Sequence, residues 1–491
     1  MSAPLRTGTP PVHKTAILSI ILISFFMVIL DNSIIFTGLP VIQSTMGFSD
    51  AGLAWVQDAY TLTFGGLLLL AARAADILGR RRLFVIGLVI FTVASMLVGL
   101  AWDAPSMIAA RALQGVGSAI VAPTSLALLT ATFDEGRERS RAVALYAAVA
   151  GIGASVGLVV GGAAVELVSW RAGFFLNLPI GLLMLFLTLR FIPELPRTPG
   201  RFDVPGAVTS TLGTAALTFG IIESSLVGWE SARTVGSLVA GLVLLTVFVV
   251  LERRAAQPIV PLRLFASGVR SGSYAVRLLF MGAFMGFFYY TTQFFQVVLG
   301  WNALQAGLGF LPMTVVNFAV AMAVTPVMRR IGAFTTLALG ILSTLAGMAW
   351  LSTLDADTSF WIGMAVPMAL IGIGQGLALA PMTDFGIHGV TSSDAGAASG
   401  LISMAQQLGL SLGLAVLVAL TAGVPDDAAA VERTTDVARI GLTGAAGMLV
   451  VALVVVFAAI LPGATSARRT AAQRQDAPEP ADRLRVAVPV E

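Results

Sequence analysis

Cysteine is absent from the 491 residues, which excludes disulfides, thiolate metal sites and cysteine nucleophiles and leaves the redox compartment unreadable. Histidine occurs only as His13 and His388, too few and too far apart for a zinc site or a Ser-His-Asp set. The single lysine is Lys14. A phosphate-binding loop needs a lysine directly behind its glycines; His13, not glycine, stands directly before Lys14, so the chain is not expected to hydrolyse ATP itself. With no metal set, nucleotide loop or nucleophile-base pair, an enzyme is not expected, and neither is a cofactor. Charge is also scarce, at 11% of residues against roughly one quarter in soluble domains.

What fills the chain instead is apolar sequence, 57% of it. Runs of about 20 apolar residues, the length a helix needs to cross hydrocarbon, recur from end to end and predict fourteen transmembrane spans. The first, near 15–38, is too long for a signal peptide and lacks a small-residue cleavage site, so it reads as a retained span. Later ones include 275–298, 359–380 and 439–461. Arginines cluster after even-numbered spans: Arg80, Arg81 and Arg82, then Arg137, Arg139 and Arg141, Arg197 and Arg201, Arg253, Arg254, Arg263 and Arg270, and Arg329 and Arg330. Alternate connections carry acids such as Asp50, Asp103, Glu230, Asp355, Asp357, Asp426 and Asp427. The positive-inside rule then predicts a multi-pass protein of the cell membrane with both termini cytoplasmic. The net charge of +3 follows from this topology, and no nucleic-acid partner is expected.

RAADILGRRR at the end of span two is echoed by TPVMRRIG at the end of span ten, and DAGLAWVQDAY before the one by NALQAGLGFLPM before the other. The echo suggests two related six-helix bundles, over 15–192 and 275–461, with two inserted helices over 204–252 between them. Residues 1–14 and 462–491 read as cytoplasmic tails, the second disordered. Repeats of this kind place a substrate site between the halves.

Several motifs occur in a fixed order. Span one holds Leu30, Asp31, Ser33, Leu39 and Pro40; the next connection holds Asp76, Gly79, Arg80 and Arg81; span four holds Arg111, Gln114, Gly115 and Gly117; span five holds Gly153, Gly157, Gly161 and Gly162. WRAGFFLNLPIG and AGAASGLISMAQQLGLSLG follow at Trp170 and Ala395. In this order the chain resembles the major facilitator superfamily, specifically its fourteen-helix drug:proton antiporter branch, over nearly its whole length. Ala72 and Ile77 depart from the loop motif, and Leu158 stands where the span-five antiporter motif has proline. The resemblance implies an all-helical transporter that rocks two bundles about a midplane cavity, exporting a lipophilic small molecule, such as a drug or antibiotic, in exchange for protons, most simply as a monomer. An uptake symporter or facilitator is the alternative.

Asp31 is the residue an apolar helix tolerates least, at about 2.5–3.5 kcal/mol on the translocon scale, so it should face the bundle interior. Counting from the span ends at 1.5 Å per residue puts Asp31, Arg111 and Asp58 in one layer about 8–10 Å below the outer surface. Burial favours the neutral carboxyl and a nearby guanidinium the anion, so this layer could load and release protons; a permanent Asp31–Arg111 ion pair locking two helices is the other reading. Asp58 either shares the proton work or snorkels outward. Asp76, Gly79, Arg80 and Arg81 read as a conformational latch, and Gly153, Gly157, Gly161 and Gly162 as close-packing glycines. Glu223 reads as interfacial. On span nine Phe284, Met285, Phe288 and Tyr289, with Phe280, Phe287 and Phe295 alongside, form either plain packing or a soft cavity wall. Asn317, Gln406 and Gln407 are candidate ligand contacts or helix-to-helix bonds. No acid is expected within the spans of the C-terminal half.

Overall fold

The computed structural model describes residues 13–134, 136–194, 197, 203–255, 258–391, 394–425 and 429–462; most of both expected tails, with Arg201, Asp426 and Asp427, lies outside them. In hydrocarbon only a helix satisfies its own N–H and C=O groups within one segment, and the apolar runs all become helices: α1 (Lys14–Met46), α2 (Asp50–Leu78), α3 (Arg80–Gly99), α4 (Ala104–Thr132) and α5 (Arg137–Leu167). They continue as α6 (Trp170–Phe191), α7 (Val204–Val227), α8 (Ala232–Arg254), α9 (Gly268–Val298) and α10 (Ala303–Ile331). The last are α11 (Ala333–Leu351), α12 (Phe360–Gly386), α13 (Ala395–Thr421) and α14 (Ala430–Ile460). No strand occurs among the described residues. Thirteen of these helices are long and apolar enough to cross a membrane, and α5 has a shorter apolar stretch at Val156–Leu167.

The helices overrun their apolar cores. α1 takes Pro40 inside and ends only at Gly47, where φ is 69°, past the expected end at residue 38. α9 starts at Gly268 and not at 275, and α14 at Ala430 and not at 439. Asp384, Glu432 and Asp436 therefore sit on α12 and α14, correcting the expectation of acid-free helices in this half. All three are exposed, so the added turns hold their charge outside the packed core.

The predicted repeat is visible as equivalent geometry. Gly79 (φ 104°) joins α2 to α3, and Gly332 (φ 85°) joins α10 to α11; only glycine adopts such angles cheaply. At the opposite ends, the Ser49 hydroxyl accepts from the Gly52 N–H at 3.1 Å, and Asn302 Oδ1 accepts from the Gln305 N–H at 2.8 Å.

Polarity is inverted relative to a water-soluble domain. Phe186, Leu242, Met322 and Val454 are each more than 60% exposed, whereas Asp31, Gln57, Asp58, Arg111 and Gln114 are fully buried. Fourteen alternating helices leave Lys14 and Ile460 at one end, here the termini face. The halves meet along α2 and α13, with α7 laid beside both, and along α5 and the start of α10. At the far face they are sealed: Gln296 Nε2 donates to the Thr37 carbonyl at 2.9 Å, and Phe36 stacks on Phe288 at 5.1 Å.

Glycines set how closely α9 and α13 cross. A Cβ added at Gly413 would press on the Gly282 backbone, while one added at Gly447 of α14 meets nothing within 4 Å. Backbone cannot yield as a side chain can, so Gly413→Val is expected to cost about 1–3 kcal/mol by overpacking. Thermal unfolding of the purified protein should show this loss, with Gly447→Val unchanged.

Candidate functional site

Asp31, midway along α1, accepts three hydrogen bonds while fully buried. Arg111 Nη1 donates to Oδ2 at 2.9 Å, and Gln114 Nε2 and Asn177 Nδ2 donate to Oδ1 at 2.7 and 2.8 Å. Arg111 is held from three further sides: Nε donates to the Val56 carbonyl at 2.9 Å, Nη1 to Gln114 Oε1 at 2.7 Å, and the guanidinium lies 4.4 Å over the Tyr60 ring. Asn177 also donates to Ser95 Oγ at 3.0 Å, and that hydroxyl donates to the Phe174 carbonyl at 2.9 Å. One buried acid thus ties together α1, α2, α3, α4 and α6.

The spacing of the span-four motif follows from this geometry. Arg111 and Gln114, three residues apart, share a helix face and converge on Asp31. Gly115 lets α4 approach the Tyr60 carbonyl of α2, and Gly117 lets it approach the Phe91 backbone of α3. The span-five glycines divide. Gly153, Gly157 and Gly161, each one turn apart, lie on α1 against Ile29, Ser33 and Ile34, whereas Gly162 meets the Ala303 carbonyl of α10 in the other half.

Asp58 does not join the Asp31–Arg111 cluster, and it does not reach the surface. It is fully buried, with the Ser411 hydroxyl of α13 beside it, so it faces the seam between the halves. Among the described residues that hydroxyl is the one polar group beside the carboxyl, and the two do not meet at full hydrogen-bond geometry. Depth is not what separates Asp58 from the cluster: Val56 and Tyr60, on either side of Asp58 in α2, both meet Arg111, and Asp58 projects from the face of α2 turned toward α13.

The latch residues bond within the N-terminal half. Arg80 grips Asp76 through Nε and Nη2 at 3.2 and 3.0 Å and donates to the Ala127 carbonyl of α4; Arg81 donates to the Leu189 carbonyl of α6 at 2.7 Å and pairs with Glu194 at 3.5 Å. Gly79 supplies the bend between them. In the other half, on the termini face, Arg263 holds Asp394 by two bonds at 2.9 and 2.6 Å, which keeps that carboxyl below its ordinary range. Glu223 is paired with Arg233 of the adjacent helix at 3.5 Å.

Of the expected cavity residues, Phe284 and Phe288 meet edge to face at 4.9 Å and, with Phe36, form the far-face seal. Met285, Tyr289, Phe280, Phe287 and Phe295 are buried in packing. Gln407 is buried against Gly65 of α2, and Gln406 accepts from Arg277 Nη2 at 2.7 Å. Asn317 is half-buried where α10 crosses α12. The sequence reading missed two residues here. Asn177 is a lone amide in an apolar run, and Arg277 a lone arginine in SYAVRLLFMG that the late start assigned to α9 left at a span edge.

Comparison with known proteins agrees with this architecture. The pattern of the Major Facilitator Superfamily matches residues 21–414. The cephamycin export protein of Amycolatopsis lactamdurans is 41% identical, over 85% of this chain and 87% of the relative. The puromycin resistance protein of Streptomyces alboniger is 36% identical over 90% of each. Among solved structures, a bacterial homolog of the human lysosomal transporter Spinster superimposes with a TM-score of 0.67 at 13% identity, covering 92% of this chain and 97% of that one. The chain is a multi-pass membrane transporter, not an enzyme, and belongs to the Major Facilitator Superfamily.

Proposed function

We propose that this transporter exports lipophilic small molecules of the antibiotic or drug class in exchange for protons, by alternating access between its halves, with the termini face cytoplasmic. The export direction is supported by relatives named for antibiotic export and resistance, and the orientation by the arginine-rich connections on the termini face. Proton coupling rests on one observation: two fully buried carboxyls, Asp31 and Asp58, in opposite bonding states. Asp31 has three donors and suits an anion. Among the described residues Asp58 has no charged partner and only the Ser411 hydroxyl beside it, and an isolated ionised carboxylate in a dry interior is strongly disfavoured, so Asp58 is the group that would carry the proton in this conformation. Rearranging the seam would exchange those states, because opening it exposes Asp58 and any shift of α1 against α4 and α6 strips donors from Asp31.

Everted membrane vesicles containing the protein test this reading, with puromycin as probe. Acidifying the vesicle lumen should drive puromycin inward, and collapsing the pH gradient should stop it. Gradient-independent movement, or accumulation by intact cells, would overturn proton-driven export in favour of facilitation or uptake.

A further inference from the structure

Among the described residues of the C-terminal half, Arg277 is the buried arginine, and its surroundings leave its charge unanswered. It is 9% exposed, nine residues into α9. Nη2 donates to Gln406 Oε1 at 2.7 Å, Nη1 donates to the Leu379 carbonyl at 3.3 Å, and Nε has no hydrogen-bond partner. Both partners are neutral. Among the described residues no carboxylate pairs with it, in contrast to Arg111, which has Asp31 at 2.9 Å. A buried cation without a counter-charge is a large desolvation penalty left standing, and intramembrane ionisable groups of this kind mark substrate or ion pathways.

Its direction is set by helix geometry. Arg277, Phe284 and Phe288 are seven and eleven residues apart, which at 3.6 residues per turn puts all three within about 20° of one line along α9. Phe288 stacks on Phe36 of α1, so that line points at the N-terminal half. Arg277 lies on it about 16 Å from the aromatic seal, toward the termini face. Gln406 comes from α13, the helix that meets α2 across the seam, and is itself only half-buried.

We infer that Arg277 is an anion-recognition point in the transport pathway, and that among lipophilic molecules the protein prefers those carrying a carboxylate beside a flat apolar body. The carboxylate would bond the unpaired Nε of the guanidinium, a charge-assisted contact with fixed geometry, once the halves part and uncover it, while the Phe284–Phe288 surface takes the rings. The N-terminal half then carries the buried acids that handle protons and the C-terminal half the cation that reads the cargo. This assignment rests on the export reading above for its direction of movement, but binding itself is independent of direction.

A matched pair of probes isolates the charge: 1-pyrenebutyrate and 1-pyrenebutanol differ in the carboxylate alone. Binding to the purified full chain in lipid nanodiscs is read by energy transfer from the tryptophans to pyrene. The wild type should bind the acid at least tenfold tighter than the alcohol. Arg277→Gln should erase that preference while leaving the alcohol within twofold of wild type, which also reports an intact fold, and Arg277→Lys should keep part of it. Equal binding of both probes by the wild type, or no binding of either, overturns the assignment, as does a Gln variant that weakens both alike. If the wild type shows the preference but energised everted vesicles move neither probe, the anion site stands and the export reading is what fails.

Discussion

In proteoliposomes, Asp31→Asn is expected to reduce transport of puromycin driven by a pH gradient by more than tenfold while leaving gradient-free exchange of puromycin across the membrane largely intact. The two readouts separate two roles of the same residue. Exchange requires only that the halves rock and the cargo site survive; coupling requires that a proton be carried in one direction of the cycle and not in the other. If the Asp31–Arg111 pair were merely a fastener between α1 and α4, the asparagine variant would lose exchange and driven transport together, in step with its melting temperature. Driven transport at the wild-type level would remove Asp31 from the mechanism altogether.

The residues of this cluster were largely legible in the chain because charged groups in apolar runs are conspicuous and the span-four motif fixes Arg111 and Gln114 on one face. Helix content and number were legible for the same reason. Helix ends were not, since Pro40 and the polar turns at Gly268 and Ala430 read as boundaries although the helices run through them. That error carried over to the sites. It left Arg277 at a span edge, with no role read for it, whereas Asp58 was misassigned by facing and not by depth. Which face Asp58 presents depends on how α2 is rotated against α13, and that rotation is set by close contacts such as Gly65 on Gln407 and Gly400 on Leu69. Such pairings across hundreds of residues leave no local periodicity to read. Asn177 was hidden for a plainer reason: a single amide in an apolar helix is compatible with many uses until its neighbours are known.

Arg111→Gln is expected to be the most destabilising single change at the site. It leaves the Asp31 carboxylate buried with only the neutral donors Gln114 and Asn177, and removing one partner of a buried ion pair costs about 3–5 kcal/mol. Adding Asp31→Asn to it should restore most of that loss, because the double variant has no buried charge left to compensate. Thermal or denaturant unfolding in detergent measures all three variants, and the shortfall from additivity gives the coupling between the two residues. Strict additivity would mean that Asp31 and Arg111 do not sense each other's charge. The carboxyl's state could then not be governed by the distance to Arg111, and the exchange of protonation between Asp31 and Asp58 would lose its physical basis. Recovery of stability without recovery of driven transport would instead separate the two properties: the fold needs the cluster neutral overall, and coupling needs the acid itself.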